Sequence, residues 1–217
     1  EDFMRDKCDE LNPIFFHYIT TKTPYVVMKY AMTLDGKIAT KTGASKWITQ
    51  EAARREVQYM RHRYMGIMVG IGTVLADDPM LNVRVEGLKS PVRIICDSKL
   101  RIPPDSQIVK SAREYRTIVA YADPENVEKK KEILQTMGVE TVFCPDMKKH
   151  VNLKHLMEHL GKENIDSILL EGGGTLNDSA LRAGVVQEVQ AFIAPKIFGG
   201  TGSRTPVDGI GIELPSQ

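Results

Sequence analysis

The sequence is poor in cysteine, in long apolar runs and in net charge. Its three cysteines, Cys8, Cys96 and Cys144, are odd in number and far apart, which argues against a disulfide framework and indicates a reducing cytoplasm. No apolar stretch approaches membrane-spanning length, so no membrane partner is expected. Lysine plus arginine number 29 and aspartate plus glutamate 28, so no overall field attracts nucleic acid, and any anion must be bound locally.

What the chain does contain is an alternation of short apolar segments with helical patterns. Its 217 residues, 42% hydrophobic and 26% charged, suit one globular domain. Apolar runs rich in β-branched residues predict strands at Tyr25–Met32, Ile67–Ile71, Val92–Asp97, Thr117–Tyr121, Val139–Phe143, Ser167–Leu170 and Val189–Pro195. Strands that alternate with helices predict an α/β fold in which a mostly parallel sheet is flanked by helices.

Three helices are predicted between these strands. Thr49 is expected to cap the first, which ends at Tyr64. The other two, Val127–Met137 and Leu153–Leu160, are each followed by a glycine in the usual place for a helix C-cap, Gly138 and Gly161.

Residues 1–22 are interpreted as an arm, and residues 23–217 as the domain to which it leads. Cys8–Leu11 favours a short helix, and Asn12-Pro13 indicates a break before the apolar residues that follow. The abrupt acidic start and the stop at Pro215-Ser216-Gln217 indicate a piece of a longer polypeptide, truncated at its C-terminal end.

Arg61 is a candidate for binding an anion. It lies four residues beyond Val57 and therefore on the flank of the apolar face of its predicted helix. A guanidinium at the edge of a core needs an anionic partner, and either a protein carboxylate or a ligand phosphate would serve. Residue type alone favours a purely structural role for Arg61, because most arginines serve solubility or packing.

Polar residues follow the second predicted strand. Thr73 to Pro79, with Asp77 and Asp78, is expected to be a polar turn beyond the end of that strand, where open α/β sheets bind ligands. An ordinary turn is the alternative, since aspartate and proline both favour turns. Gly70 and Gly72 lack the third glycine that a dinucleotide fingerprint requires.

A glycine-rich loop follows the strand Ser167–Leu170. Glu171 precedes Gly172, Gly173 and Gly174, and three glycines let backbone amides approach a phosphate at the start of the next helix. A flexible loop is the alternative, but a carboxylate at the strand end favours a functional site.

No metal site is expected. His155 and His159, with Glu158 between them, match an H-x-x-E-H zinc pattern. The leucines and the methionine of the same helix form its core face, which leaves both histidines on polar flanks without a third ligand. Trp47, the only tryptophan, is of a type found more often in a core than under a ligand.

Five segments together resemble the reductase domain of the bifunctional riboflavin-biosynthesis deaminase/reductase: VMKYAMTLDGKIAT, GASKWIT, VGIGTVLADDPMLNVR, CDSKLRIP and ILLEGGGTLN. They occur in the order of that family, and the resemblance covers the chain from Leu11 onward. It implies a fold like that of dihydrofolate reductase, with a mixed, mainly parallel sheet and helices on both faces. It also implies a zinc deaminase domain in cis in the full-length protein, whose H-x-E and P-C-x-x-C signatures are absent from this sequence.

The activity implied by the resemblance is the NADPH-dependent reduction of 5-amino-6-(5-phosphoribosylamino)uracil to its ribitylamino product, by a homo-oligomeric enzyme. The residues then expected to bind this phosphoribosylaminopyrimidine substrate are Ser45, Trp47, Arg61, Asp77, Leu81, Arg84 and Glu171. Those expected to contact NADPH are Ala31, Trp47, Thr73, Asp77, Ser98, Gly173, Gly174, Thr175 and Leu176. Asp77 and Glu171 are the expected catalytic residues, with Asp77 as the group that stabilises an iminium or relays a proton.

Two other functions stay open. A reductase of the archaeal and fungal type would act on the 2,5-diamino pyrimidine before deamination. The segment before the first predicted strand, with Phe15-Phe16-His17, argues against this alternative. A non-catalytic module that binds a nucleotide or phosphosugar would keep the glycine loop. The presence of Asp77 and Glu171 beside intact binding motifs argues against such a loss of turnover.

Overall fold

One seven-stranded sheet forms the centre of the computed structural model, which describes residues 4, 7, 10–125 and 127–214. The strand order is β5-β4-β3-β2-β6-β1-β7. The strands are β1 (Tyr25–Thr33), β2 (Gly66–Gly70), β3 (Val92–Cys96), β4 (Thr117–Tyr121), β5 (Val139–Phe143), β6 (Ser167–Leu170) and β7 (Glu188–Ala194). All seven predicted strands are thereby confirmed, with every end within one residue of the prediction.

The six described strand pairs all run parallel. The only antiparallel pairing in the described part of the chain is an isolated bridge between Pro145 and Val151. Each strand is separated from the next by a helix or a long loop, and a connection of that length returns the chain to the same end of the sheet. The mixed pairing expected from the family resemblance is therefore not seen among these strands, whereas the α/β class and the parallel character are confirmed.

Helices cover both faces of the sheet, as expected. They are α1 (Pro13–Thr21), α2 (Glu51–Arg63), α3 (Ile71–Asp77), α4 (Gln107–Lys110), α5 (Glu128–Thr136), α6 (Leu153–Lys162) and α7 (Gly174–Arg182). Successive strand residues point to opposite faces. Ile94 accordingly packs in the buried cluster that contains α6 residues, and its neighbour Ile95 packs in the cluster that contains α3, α4 and α5 residues.

The segment from Thr73 to Pro79, predicted to be a turn, is mostly helical. Ile71 and Val74 are buried in the core at helical spacing, so the segment has an apolar face to bury. The helix α3 ends at Asp77, because Asp78 adopts a left-handed backbone with a φ of 40°.

Two predicted caps are also wrong. Helix α2 begins at Glu51, so Thr49 lies outside it, and the Thr49 carbonyl accepts a hydrogen bond from Arg54 Nη1 at 2.9 Å. Gly161 lies within α6, where a Cβ would overlap the carbonyl oxygen of Lys22. The glycine is needed for close packing rather than for ending a helix. Gly138, with a φ of 92°, does follow α5 as predicted.

The predicted arm includes a helix that packs on the domain. The break expected at Asn12-Pro13 is the start of α1, where proline suits the first helical turn. Glu10 and Leu11 are helical as predicted, and Cys8 lies outside the described residues. The Tyr18 hydroxyl donates to the Gly161 carbonyl at 2.9 Å. Among the described residues, no helix has the length and apolarity to cross a membrane.

Candidate active site

The candidate site lies at the carboxyl ends of four neighbouring strands, β3, β2, β6 and β1. Parallel pairing places these ends at one edge of the sheet, which is where open α/β sheets bind ligands. The segments that leave this edge carry predicted site residues: Ser45 and Trp47 after β1, Thr73 and Asp77 in α3, Ser98 after β3, and Glu171, Gly173, Gly174, Thr175 and Leu176 after β6.

Arg61 and Glu171 form a bidentate ion pair. Arg61 Nε donates to Glu171 Oε1 and Nη2 donates to Oε2, both at 2.8 Å, and each side chain is 13% exposed. Arg61 Nη1 also donates to the Asn82 carbonyl at 3.2 Å. Of the two partners that sequence reasoning left open for Arg61, the structure provides the protein carboxylate.

A lysine near this pair received no role in the sequence analysis. Lys29 lies in β1, and its charge interacts with both Glu171 and Arg61. Burial, with the charge of Arg61, lowers the pKa of Lys29, while Glu171 opposes that shift. Burial disfavours ionised Glu171, but Arg61 and Lys29 together hold its pKa below the usual value. The signal in the sequence that could have identified Lys29 was a charged residue inside an otherwise apolar strand.

The glycine loop adjoins the start of α3. Gly70 N donates to the Gly172 carbonyl at 3.0 Å, and Gly173 N donates to Thr73 Oγ1 at 3.4 Å. A Cβ at Gly173 would have only Thr73 Oγ1, at 3.8 Å, within 4 Å, so the space in front of this residue is open. Because Gly173 is the N-cap of α7, this open space adjoins the first turn of a helix, where backbone amides favour an anion, while the carboxylate of Asp208 packs against Gly174 in the same turn.

Two neighbouring aspartates, Asp77 and Asp78, differ in their contacts. Asp78 Oδ1 accepts from Gln107 N at 2.8 Å, so Asp78 stabilises the turn. Asp77 is exposed and its carboxylate has no hydrogen-bond or ion-pair partner among the described residues. Asp77 lies four residues after Thr73 in α3 and therefore on the helix face that contacts the glycine loop.

Leu81 and Arg84 differ in exposure. Leu81 is 4% exposed and packs in the core, so only its backbone, with a φ of 53°, is placed to border a ligand. Arg84 is exposed, and its guanidinium has no hydrogen-bond partner in the described part of the chain. Its backbone N–H donates to Gln58 Oε1 at 2.9 Å, which fixes the start of the side chain.

Trp47 is not a core residue, although its type made a core position more common. Its side chain is 60% exposed, and the Arg54 guanidinium carbon lies 4.6 Å from the ring centroid. Lys196 Nζ donates to the Trp47 carbonyl at 2.9 Å. These contacts hold an exposed aromatic surface on the segment after β1. Ser45 is half-buried on the same segment.

Ser98 and Ala31 lie on either side of the glycine loop. The carbonyl of Ser98 accepts from Ala122 N and Asp123 N, and its Oγ accepts from Val151 N at 3.3 Å. Its strand is two positions from β6 in the sheet, roughly 10 Å away, a distance that a dinucleotide spans. Ala31 is half-buried in β1, the other neighbour of β6.

Metal and thiol chemistry find no support among the described residues. These contain no group of three histidine, cysteine or carboxylate side chains placed to hold a metal ion. Helix α6 buries the apolar face that was predicted to leave its histidines outside, made of Leu153, Leu156, Met157 and Leu160. Burial raises the pKa of Cys96 to about 12 and that of Cys144 to about 11, so both thiols are protonated at neutral pH.

Comparison with known proteins identifies the family. Residues 24–215 match the family model described as the RibD C-terminal domain. The chain belongs to the RibD C-terminal domain family. Its sequence is 54% identical over 217 residues to the riboflavin biosynthesis protein RibD of Actinobacillus pleuropneumoniae, covering 100% of this chain and 57% of that protein. The chain thus spans little more than half of the RibD proteins that it matches.

Two further relatives place the family among riboflavin-biosynthesis reductases. A 2,5-diamino-6-ribosylamino-4(3H)-pyrimidinone 5′-phosphate reductase of Methanothermobacter thermautotrophicus is 42% identical over 193 residues, covering 88% of this chain and 86% of that protein. The crystal structure of a diaminohydroxyphosphoribosylaminopyrimidine deaminase/5-amino-6-(5-phosphoribosylamino)uracil reductase from Thermotoga maritima superposes with a TM-score of 0.78. It is 31% identical and covers 97% of this chain and 56% of its own. A dihydrofolate-reductase-like reductase fold is thereby confirmed, and such a family implies a nucleotide cofactor.

Proposed function

We propose that this protein reduces 5-amino-6-(5-phosphoribosylamino)uracil to the ribitylamino product with NADPH. The observation that carries the proposal is that Glu171 joins two features in one stretch of chain. Its carboxylate belongs to the largely buried cluster of Lys29, Arg61 and Glu171, and the glycine loop that follows leaves open space in front of Gly173. A polar substrate and a phosphate-bearing cofactor would meet across that junction.

The residues at the glycine loop fit a dinucleotide. Gly173, Gly174, Thr175 and Leu176 would hold its phosphates at the start of α7, and Ser98 would contact the 2′-phosphate. Ala31, Trp47, Thr73 and Asp77 would line the remainder of the cofactor site. When bound, NADPH supplies the hydride.

The substrate would be held by charge and hydrogen bonds on the other side of the loop. The unpartnered guanidinium of Arg84 and the hydroxyl of Ser45 would bind the sugar phosphate. Arg61 retains N–H groups beyond those used with Glu171 and Asn82, which are free to contact sugar hydroxyls. Lys29 and Glu171 would face the pyrimidine edge, and Trp47 and the Leu81 backbone would border the ring.

Reduction at C1′ of the opened sugar requires a proton at the exocyclic nitrogen. A neutral imine that gained a hydride would carry negative charge on that nitrogen, so a donor or a preformed iminium is needed. Asp77 is the candidate group, because its carboxylate is free whereas both oxygens of Glu171 are bound by Arg61. Glu171 would then orient the substrate.

A second candidate substrate is the undeaminated 2,5-diamino pyrimidine. The relative from Methanothermobacter thermautotrophicus, named as a reductase of that compound, favours it. The test is NADPH oxidation with the two pyrimidines side by side. Faster turnover of the deaminated compound is expected, and turnover of the 2,5-diamino compound alone would assign the second activity instead.

Cofactor identity needs its own measurement. Titration with NADPH and NADH should show tighter binding of NADPH, and elemental analysis should find no stoichiometric metal. Equal affinity for the two nucleotides would remove Ser98 from its assigned role. One zinc ion per chain would contradict the metal-free site.

We also propose that residues 1–22 follow a zinc deaminase domain in cis and that the protein is a homo-oligomer. The deaminase activity in the name of the Thermotoga maritima protein supports the first, since this chain covers 56% of that one. The second is supported by the edge strand β7, where Val189 is 47% and Ile193 is 54% exposed. Light scattering of the full-length protein would give the assembly size, and a monomer would contradict the proposal.

A further inference from the structure

Arg93 is a fully buried cation in β3 that forms no ion pair or hydrogen bond with a carboxylate among the described residues, although the charge of Glu114 acts on it from further away. Its side chain is 0% exposed. Nη1 donates to the Met80 carbonyl at 3.1 Å and to Ser111 Oγ at 2.8 Å. Nε and Nη2 both donate to Thr117 Oγ1, and Nη2 also donates to the carbonyls of Ile108 and Tyr115. The acceptors are all neutral oxygens.

Such a residue is costly to bury. Loss of solvation lowers the pKa of Arg93 to about 10. An apolar side chain of similar volume commonly fills a buried position with no loss of stability, so burial of a guanidinium is weak evidence for a stabilising role. The effect of Arg93 is therefore better sought in the segment that it holds.

That segment, residues 77–84, carries Asp77 at one end and Arg84 at the other. Side chains from outside it form hydrogen bonds with every second residue: Gln107 with Asp78, Arg93 with Met80, Arg61 with Asn82, and Gln58 with Arg84. The segment thus has one anchor per two residues along its length.

Leu81, between two of these anchors, needs them most. Its φ of 53° lies in the left-handed region, which a leucine adopts only when its surroundings determine the backbone on both sides. The Met80 carbonyl on one side is bound by Arg93, and the Asn82 carbonyl on the other by Arg61. Loss of the Arg93 bond would let this peptide relax toward the ordinary region and move the residues beyond it.

We infer that Arg93 is a positioning residue for the substrate pocket. Its guanidinium holds the Met80 carbonyl, so that Asp77 and Arg84 keep their relative placement while Arg93 itself touches no ligand. The inference rests on the proposed function, in which those two side chains contact the substrate.

The test compares Arg93→Lys with Arg116→Lys. Lysine keeps the charge at residue 93 but lacks the planar set of five N–H groups. Arg116→Lys removes the paired hydrogen bonds to Glu140 and the bond to Glu163, and the exposed Arg116 side chain forms no hydrogen bond with segment 77–84 in the described structure. In Arg93→Lys, kcat/KM for the pyrimidine should fall at least tenfold while KM for NADPH stays within twofold. In Arg116→Lys, both constants should stay within twofold of wild type.

A milder variant covers the case in which Arg93→Lys does not fold. Thr117→Val removes two bonds that orient the guanidinium and leaves the arginine in place. It should lower kcat/KM for the pyrimidine by a smaller factor than Arg93→Lys and leave KM for NADPH within twofold of wild type. Equal changes in both constants, or a lower melting temperature with unchanged kinetics below it, would overturn the inference.

Hydrogen exchange separates this inference from the proposed function. Wild-type protein that does not reduce either pyrimidine would refute the proposed function by itself. The positioning role of Arg93 would then be tested by the exchange rates of the Val83 and Arg84 amides, which donate to Ser90 Oγ and Gln58 Oε1. In Arg93→Lys they should exchange faster while β1 and β6 keep their wild-type rates. Uniform acceleration across the domain would show a merely structural role.

Discussion

Both carboxylate oxygens of Glu171 are bound by Arg61, through two hydrogen bonds of 2.8 Å each. The pair is mostly removed from water and lies next to the glycine loop. A carboxylate held in this way stays ionised, because the adjacent positive charges keep its pKa low despite burial. Glu171 is therefore suited to orienting a neighbouring group rather than to donating a proton.

The stability of this pair can be measured with a double-mutant cycle. Arg61→Met and Glu171→Gln should each lower the free energy of unfolding by about 3 to 5 kcal/mol, because each leaves one charge largely buried without its partner. The double variant should lose less than the sum of the two. Urea unfolding at neutral pH gives the four free energies, and simple additivity would mean that the two side chains are not coupled.

Asp77→Asn should fold normally, bind NADPH and lose roughly a hundredfold or more in turnover, the usual scale for a lost acid-base group. Asp78→Asn is the matched control, because the asparagine Oδ1 can still accept from Gln107 N, so both the turn and the turnover should be kept. Steady-state kinetics with melting curves distinguish the two variants. Near-normal turnover in Asp77→Asn, beside a collapse in Glu171→Gln, would assign the proton chemistry to Glu171.

Arg84→Ala should raise KM for the pyrimidine far more than KM for NADPH. The lost binding free energy for the pyrimidine should be about 2 to 4 kcal/mol if the substrate phosphate buries the guanidinium. Arg84→Lys should recover only part of this, because lysine keeps the charge without the bidentate geometry. Since the side chain has no partner in the described structure, neither change should alter the melting temperature. An unchanged KM for the pyrimidine would remove Arg84 from the anion site.

Acid stability should depend on Asp35, which follows β1. Its carboxylate accepts from Thr33 Oγ1, and from Gly199 N at 2.7 Å, and these hydrogen bonds lower its pKa from 3.8 to about 2. A lowered pKa in the folded state means that the contribution to stability is complete above pH 3.8 and is lost as the pH falls toward 2. Melting temperatures of wild type and Asp35→Asn should therefore converge across that interval. A constant difference would show that the charge of Asp35 is not involved.

Much of the fold could be predicted because its signals are local. The strand β3 is short, apolar and β-branched, and its observed limits, Val92–Cys96, are within one residue of those predicted. Strand order depends on contacts between distant segments and has no such local signal. The helix α3 was missed for a related reason. Its sequence is rich in turn-forming residues at one end, and only burial of Ile71 and Val74 against the sheet favours the helix.

The candidate site likewise contains residues that could be placed from the sequence and residues that could not. Residues on strand ends, such as Glu171, could be placed from the alternation of strands and helices alone. The partner of Arg61 could not, because it lies on a strand far along the chain. Lys29 and Arg93 were missed because a single charge inside an apolar strand gives no indication of its partner, and the groups that interact with both are brought to them by other elements of the fold.

The strand order has a consequence for synthesis of the chain. The strand β1 is synthesised before the other six strands of the sheet, yet its only partners in the described sheet are β6 and β7, and its pairing begins when Tyr25 meets Ser167. Until then, Val26, Val27 and Met28, which are buried in the finished domain, have no strand to cover them. The nascent domain therefore carries an uncovered apolar strand while β2 to β5 are being synthesised, a state in which chaperone binding would matter most.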